Sequence, residues 1–264
     1  MSIHDAERIV VKIGSSTLTH PTGLINYRQV ESLVITLSDI INSGKQLILV
    51  TSGAVAVGMS MMLIKQKPSD IPTRQAIAAI GQSKLMSLYQ AMFIKHHRNV
   101  GQILLSRDVT DNDHFKQNVK NTINKLIEMN AVPIVNENDS ICVDELAYGD
   151  NDTLSSIVAV ISESDSLVLL TDIDGLYSAD PSKYENAELI QKVGIIDENI
   201  MSIASDSSSN IGTGGMKTKL IAARYAQKHD IDTYIINGNN PKNLYKLFDG
   251  EKIGTHILKG SDLK

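Results

Sequence analysis

Ile9-Val10-Val11-Lys12-Ile13-Gly14-Ser15-Ser16 decides how the rest of the chain is read. The β-branched run Ile9 to Ile13 predicts a strand, and its apolar residues on both alternating faces predict a strand covered from both sides. Gly14-Ser15-Ser16 ends it with small residues whose amides can approach an anion closely. Lys12 is the anomaly. An ammonium inside a covered strand needs an anionic partner, so Lys12 is read as functional.

Working outward, a helix is expected after Asn26, with Asn26 as its cap and Gln29 placed as a capping-box partner. Val30, Leu33, Val34, Leu37, Ile40 and Ile41 recur at helical spacing, and Asn42-Ser43-Gly44 stops the pattern. Leu47-Ile48-Leu49-Val50 is the next strand. Pro68 to Pro72 reads as a mobile loop, with Pro72 in the first turn of a long helix ending near His96-His97. Ile103-Leu104-Leu105, Val132-Pro133-Ile134-Val135, Leu167-Val168-Leu169-Leu170 and Tyr234-Ile235-Ile236 are further strands, and Ser140 to Gly149 suggests a small hairpin. Strands alternating with helices predict an α/β fold: a mostly parallel β-sheet sandwiched between helices.

Ligands of such sheets bind beyond the carboxyl ends of the strands. Polar groups collect there: Ser15-Ser16 after the first strand, Thr51-Ser52-Gly53-Ala54 after the second, Asn136-Glu137-Asn138-Asp139 after Val135, and Thr171-Asp172 after Leu170. Gly212-Thr213-Gly214-Gly215-Met216-Lys217-Thr218-Lys219 lacks the spacing of a Walker A loop and the third glycine of a dinucleotide fingerprint. It leads instead into a helix carrying two lysines in its first turn, where cations oppose the macrodipole unless an anion binds too. Gly149-Asp150-Asn151-Asp152 precedes a helix beginning near Thr153-Leu154. Asp150 or Asp152 suits an N-cap, and the cluster also suits an ammonium, a metal or a lysine. Neither this segment nor Asp172 to Gly175 has the ligand spacing of a calcium loop. Arg107-Asp108 reads as a helix-capping ion pair and His96-His97 as a solvated helix end.

Composition narrows the function. Of 264 residues, 42% are hydrophobic and 21% charged, enough to build a core and exclude bulk disorder. The formal charge of -5 argues against a general nucleic-acid binder. The single cysteine, Cys142, precludes an internal disulfide and fits a reducing compartment. No charge lies between Lys45 and Lys65, about the length of a membrane span, but Thr51-Ser52-Gly53 interrupts the stretch and a soluble protein is expected. Lysines, glycine amides and carboxylates without an activated Ser/His or Cys/His pair point to phosphoryl transfer by positioning and electrostatics.

VVKIGSSTLT, VTSGAVAVG, PIVNENDSI, GDNDTLSSIVA, LLTDIDGLYSADP and GTGGMKTK, in this order, resemble the amino acid kinase family over about Ile9 to Ile257. The NEND and GDND strings are similar to the branch that phosphorylates the γ-carboxylate of glutamate, the first step of proline synthesis. The resemblance implies that Lys12 and Lys219 bridge the transferred phosphoryl group and that Asp152 holds both lysines. Ser52, Asp139 and Asn151 would bind L-glutamate, with Gly53, Asn136 and Asp150 nearby. Lys12, Thr171, Asp172 and the stretch Thr213, Gly214, Gly215, Met216, Lys217, Thr218 and Lys219 would hold ATP, with Mg²⁺ bridging its phosphates and no protein side chain as metal ligand.

The resemblance further implies a cytoplasmic homo-oligomer without nucleic-acid or membrane partners. Proline feedback would act at the glutamate site and the loop around Met59–Thr73. Many members carry a C-terminal module of the PUA type; the expectation here is a single domain over 1–264 without one. It would divide near Leu167 into a glutamate lobe (about 1–166) and an ATP lobe (about 167–264). The alternatives are a sister kinase of the same fold, an acyl-phosphate kinase acting on N-acetylglutamate or a kinase of a nucleotide monophosphate, and a non-catalytic nucleotide or amino-acid sensor.

Overall fold

A computed structural model describes residues 3–106, 110–141, 151–206 and 215–263, with the backbone alone for 205 and 206. Arg8–Ile13 forms β1, Gln46–Thr51 β2, Asn99–Leu105 β3, Ala131–Glu137 β4, Ser166–Thr171 β5, Lys192–Val193 β6, Asp232–Asn237 β7 and Thr255–Ile257 β8. They make one sheet in the order β3-β4-β2-β1-β5-β7-β8-β6. Pairing is parallel except between β7 and β8.

The sheet order contains a reversal. From β1 the chain passes to β2, then to β3 at the edge and back to β4 between them, before placing β5 on the other side of β1. Connections therefore leave β1 and β5 in opposite directions, opening a crevice at their carboxyl ends where a ligand can enter. Register aligns Ile13 with Thr51 on one side and with Leu170 on the other.

The helices are Ser15–Leu18 (α1), Tyr27–Asn42 (α2), Ala54–Met61 (α3), Ile71–Phe93 (α4), Asp113–Glu128 (α5), Asn151–Ile161 (α6), Glu198–Asp206 (α7), Met216–Lys228 (α8) and Asn243–Phe248 (α9). Strand alternation divides the core into two layers. Ile9, Val11 and Ile13 pack with residues of α2 and α4, including Leu33, Leu37 and Tyr89. Val10 packs on the opposite face with Val158 of α6 and Leu220 of α8. Lys12 shares the parity of Val10 and so points toward α6 and α8.

Local signals account for most helix ends. Asn26 Oδ1 accepts from the Gln29 backbone N–H, so the cap of α2 forms. The capping box does not. Gln29 Nε2 donates to Gly238 O at 2.7 Å, and the Asn26 N–H bonds Leu18 O. A contact across the fold takes the side chain that local spacing assigned to its own helix. Asp70 caps α4 by accepting from the Thr73 N–H, with Pro72 in the first turn. The helix gives way to a 3-10 turn at Ile94–His96, and the exposed His97 stands at φ +57°. The segment expected as a mobile loop is an irregular connection between α3 and α4. Ser140–Gly149, apart from its first two residues, and the Arg107-Asp108 pair lie outside the described residues, as does Cys142.

Helices α3 and α4 touch backbone to backbone. A Cβ on Gly58 would stand 2.1 Å from Ile77 O, and one on Gly81 would stand 1.8 Å from Ala54 O. Gly53, at φ +101°, makes the left-handed turn that sends the chain from β2 into α3.

Candidate active site

Three charged side chains meet at the β1/β5 crevice. Lys12 comes from the end of β1, Asp152 from the first turn of α6 and Lys219 from the first turn of α8. Lys12 Nζ lies 2.6 Å from Asp152 Oδ1, and Lys219 Nζ lies 3.1 Å from Asp152 Oδ2. Asp152 is fully enclosed, while Lys12 and Lys219 keep 4% and 6% of their surface. The Thr218 hydroxyl stands 3.0 Å from Asp152 Oδ2 and 2.8 Å from Gly215 O.

Helix α6 begins at Asn151, two residues earlier than the sequence pattern suggests, so Asp152 lies inside its first turn. The N-cap reading of Asp152 is therefore wrong: its carboxylate serves two lysines and a threonine. The macrodipole still favours an anion at that position. One carboxylate thus gathers two ammonium groups from separate elements. The trio sits beyond the carboxyl ends of the strands, where ligands of such a sheet arrive.

Beside the trio runs a chain of amides. Asn151 Nδ2 approaches Thr51 O at 2.7 Å, Ser52 Oγ at 2.8 Å and Asn136 Oδ1 at 2.9 Å. Asn136, at the end of β4, donates from Nδ2 to Gln82 Oε1 at 2.7 Å. Ser52, Asn136 and Asn151, expected to work together, are thus joined by direct hydrogen bonds. Gln82 of α4 belongs to the same chain and was not anticipated. Its sequence signal is a glutamine standing in the helix's apolar stripe between Ala78 and Leu85, both buried.

Asp139 follows β4. Burial and the neighbouring Glu137 push its carboxyl up to about 6, against a smaller opposing pull from Lys67. An ammonium would find a partly desolvated carboxylate there. Beneath β2, Thr51 Oγ1 and Tyr89 OH share a buried hydrogen bond of 2.9 Å, and burial holds that phenol far above its usual range.

On the far side of the crevice, Thr171 ends β5 and its hydroxyl donates to Asp172 Oδ1 at 3.1 Å. Asp172 is exposed, and its backbone oxygen accepts from Asn239 Nδ2. Gly215 caps α8 and Lys217 is exposed, but the Met216 side chain is buried in the core with Leu220 and Ala223. Only its backbone remains for a ligand. Asp150, Thr213 and Gly214 lie outside the described residues. Among the described residues no three or more His, Cys, Asp or Glu side chains converge as a metal cage, and no helix is long and apolar enough to cross a membrane.

The profile of the amino acid kinase family matches residues 7–237. The chain belongs to the amino acid kinase family. A protein named Glutamate 5-kinase from Clostridium perfringens is 45% identical over 261 residues, covering 97% of each chain. Proteins of the same name from Enterococcus faecalis and Listeria monocytogenes are 41% and 43% identical, over 98% and 96% of this chain and 97% and 94% of their own. Among solved structures, carbamate kinase from Giardia lamblia superposes with a TM-score of 0.66 at 15% identity, over 97% of this chain and 99% of its own. UMP kinase from Bacillus anthracis superposes with a TM-score of 0.64 at 16% identity, over 96% of both. These structural neighbours share the amino acid kinase fold: a mostly parallel sheet with flanking helices.

Proposed function

We propose that the protein is a glutamate 5-kinase, transferring the γ-phosphoryl group of ATP to the γ-carboxylate of L-glutamate and so opening the route to proline. The bridging of Lys12 and Lys219 by Asp152 at the crevice carries this reading, together with full-length relatives of that name. A γ-carboxylate oxygen attacks the γ-phosphorus, a new P–O bond forms, and the bond to the β-phosphate oxygen breaks. The products are γ-glutamyl phosphate and ADP. The nucleophile is already an anion, so the step needs no strong base.

Charge neutralisation and alignment are what remain for the protein. Lys12 and Lys219 hold the oxygens of the group in transfer, and Asp152 fixes both ammonium groups in place. Ser52, Gly53, Asn136, Asp139, Asp150 and Asn151 form the glutamate side. Thr171, Asp172 and the stretch from Thr213 to Lys219 form the ATP side, dividing the single domain near Leu167. Mg²⁺ enters as part of the nucleotide substrate. That ion would be held chiefly by the substrate phosphates rather than by a protein cage. The enzyme works in the cytoplasm as a homo-oligomer, with proline competing at the glutamate side.

Trapping the acyl phosphate with hydroxylamine, in the presence of ATP and Mg²⁺, tests the reading. Glutamate should give hydroxamate. N-acetylglutamate, without the ammonium that Asp139 faces, should be at least about a hundredfold poorer in kcat/KM. Aspartate should be poor because its side-chain carboxylate stops one methylene short. Efficient use of N-acetylglutamate in place of glutamate would overturn the assignment.

A further inference from the structure

The amide chain beside the lysines ends in a buried donor and a buried acceptor whose orientations are fixed by the backbone. The Glu137 N–H donates to Asn136 Oδ1, which makes that atom the acceptor and Asn136 Nδ2 the donor. Asn136 Nδ2 must then meet Gln82 through Oε1, leaving Gln82 Nε2 as the outward donor. At the other end Thr51 O can only accept, so Asn151 presents Nδ2 to it and keeps Oδ1 as an acceptor. Asn136 and Asn151 cannot flip without breaking a bond to the main chain, and Gln82 cannot flip without breaking its bond to Asn136. Gln82 Nε2 and Asn151 Oδ1 are both buried, and neither has a hydrogen-bond partner among the described residues. Gln82 is itself only 9% exposed.

Buried polar atoms are almost always partnered, and an orphaned pair of opposite character calls for an occupant. We infer that Gln82 is a specificity-determining residue for the amino-acid substrate: its Nε2 donates to the α-carboxylate while Asn151 Oδ1 accepts from the α-ammonium. This rests on the proposed glutamate reading and deepens it.

Strand spacing sets which end of the substrate lies there. The phosphoryl-holding lysine is on β1, whereas Gln82 is reached through Asn136 on β4, two strands away. At about 4.8 Å per strand that is roughly 10 Å. The γ-carboxylate must lie near Lys12, so the α-groups extend toward Gln82. The same arrangement gives a reason for a glutamine in the buried stripe of α4, where an apolar residue would pack at lower cost.

The test uses the full-length enzyme at pH 8, with L-glutamate as substrate and L-isoglutamine, its α-amide, as a competitor that keeps the size but loses the α-charge. Gln82→Glu retains an oxygen to accept from Asn136 but replaces the outward donor with an acceptor. It should lower glutamate kcat/KM at least a hundredfold, change the ATP KM less than twofold and lower the isoglutamine inhibition constant. Gln82→Met, which removes both polar atoms, should cost glutamate about ten- to a hundredfold and move isoglutamine less than threefold. It keeps the question open to decision if the glutamate variant fails to fold. Parallel losses for both ligands would mean that Gln82 only props Asn136, and would overturn the inference. Unchanged glutamate kinetics would do the same. A wild-type enzyme that forms no hydroxamate from glutamate would instead sink the parent reading.

Discussion

Lys12 Nζ stands 2.6 Å from Asp152 Oδ1, joining the central strand to the first turn of α6 on the covered face of the sheet. Through its other oxygen the same carboxylate reaches Lys219, so one side chain sets the positions of two ammonium groups supplied by separate elements. Catalysis by charge placement depends on such prior alignment, because the groups need not reorganise as the phosphoryl group moves.

Replacing that carboxylate has two expected consequences. Asp152→Asn keeps the volume but leaves two buried ammonium groups facing a neutral amide. Breaking a buried ion pair costs about 3–5 kcal/mol, which for a chain of this size lowers the melting temperature by roughly 6–15 °C. Turnover should fall by about two to three orders of magnitude. Melting curves with and without Mg²⁺ and ATP would separate the effects, because bound nucleotide should restore part of the lost stability. Wild-type melting and wild-type turnover together would dismiss the bridging role.

The lysines should behave differently from their partner. Lys12→Ala and Lys219→Ala each leave Asp152 paired with the other lysine, so the fold should hold while kcat drops about a hundred- to a thousandfold. Lys217→Ala, at an exposed position one turn edge away, should raise the ATP KM about three- to tenfold with little change in kcat. Initial rates over an ATP series decide this. Equal kcat losses at Lys217 and Lys219 would show that the buried contact has no special part.

How far the sequence could be read follows from where each signal is stored. Lys12 was legible because an ammonium in a covered strand violates the pattern around it. The main strands and the polar edge followed from apolar runs that each ended in small or charged residues. Gln29 was misread because its partner, Gly238 O, is brought near only by the fold. The resemblance places Met216 in the ATP stretch, and the fold adds that its side chain packs into the core with Leu220. The short strands β6 and β8 have two and three residues, too few to display a period. Gln82 left a trace, as a polar residue in an apolar stripe, but only its bond to Asn136 gives the trace a meaning.

Asp139 should impose a pH dependence on glutamate use. Its carboxyl is raised from the ordinary 3.8 to about 6, chiefly by burial. Binding an ammonium requires the charged form, so glutamate kcat/KM should fall toward tenfold per unit as pH drops below about 6, and Asp139→Asn should be poor and flat between pH 5 and 7. Stability runs the other way. A carboxyl whose folded pKa is raised stabilises the fold fully below about 4 and loses that contribution as pH rises through 6. Asp139→Asn should therefore melt higher than wild type at pH 8 and about equal to it at pH 4. A wild-type glutamate profile that stays level from pH 7 to 5 would detach Asp139 from the substrate.

The glycines divide into those the fold requires and those it tolerates losing. Gly81→Ala would place a methyl 1.8 Å from Ala54 O, and Gly58→Ala would place one 2.1 Å from Ile77 O. Those neighbours are backbone atoms that cannot rotate away, so α3 and α4 must separate. Overpacking of this kind costs about 1–3 kcal/mol or more. Because Gly53 caps α3 and directly follows Ser52, displacing the helix also shifts the turn against which Asn151 is bonded. Both variants should lower the melting temperature by several degrees and raise the glutamate KM more than the ATP KM. Gly215→Ala supplies the contrast: φ is -73° and a Cβ there meets nothing within 4 Å among the described residues, so stability should change by about 1 kcal/mol or less, the range of an N-cap exchange. Thermal melts of the three variants, followed by glutamate and ATP titrations, test the argument. A Gly81→Ala enzyme as stable as Gly215→Ala would show that the two helices do not meet at their backbones.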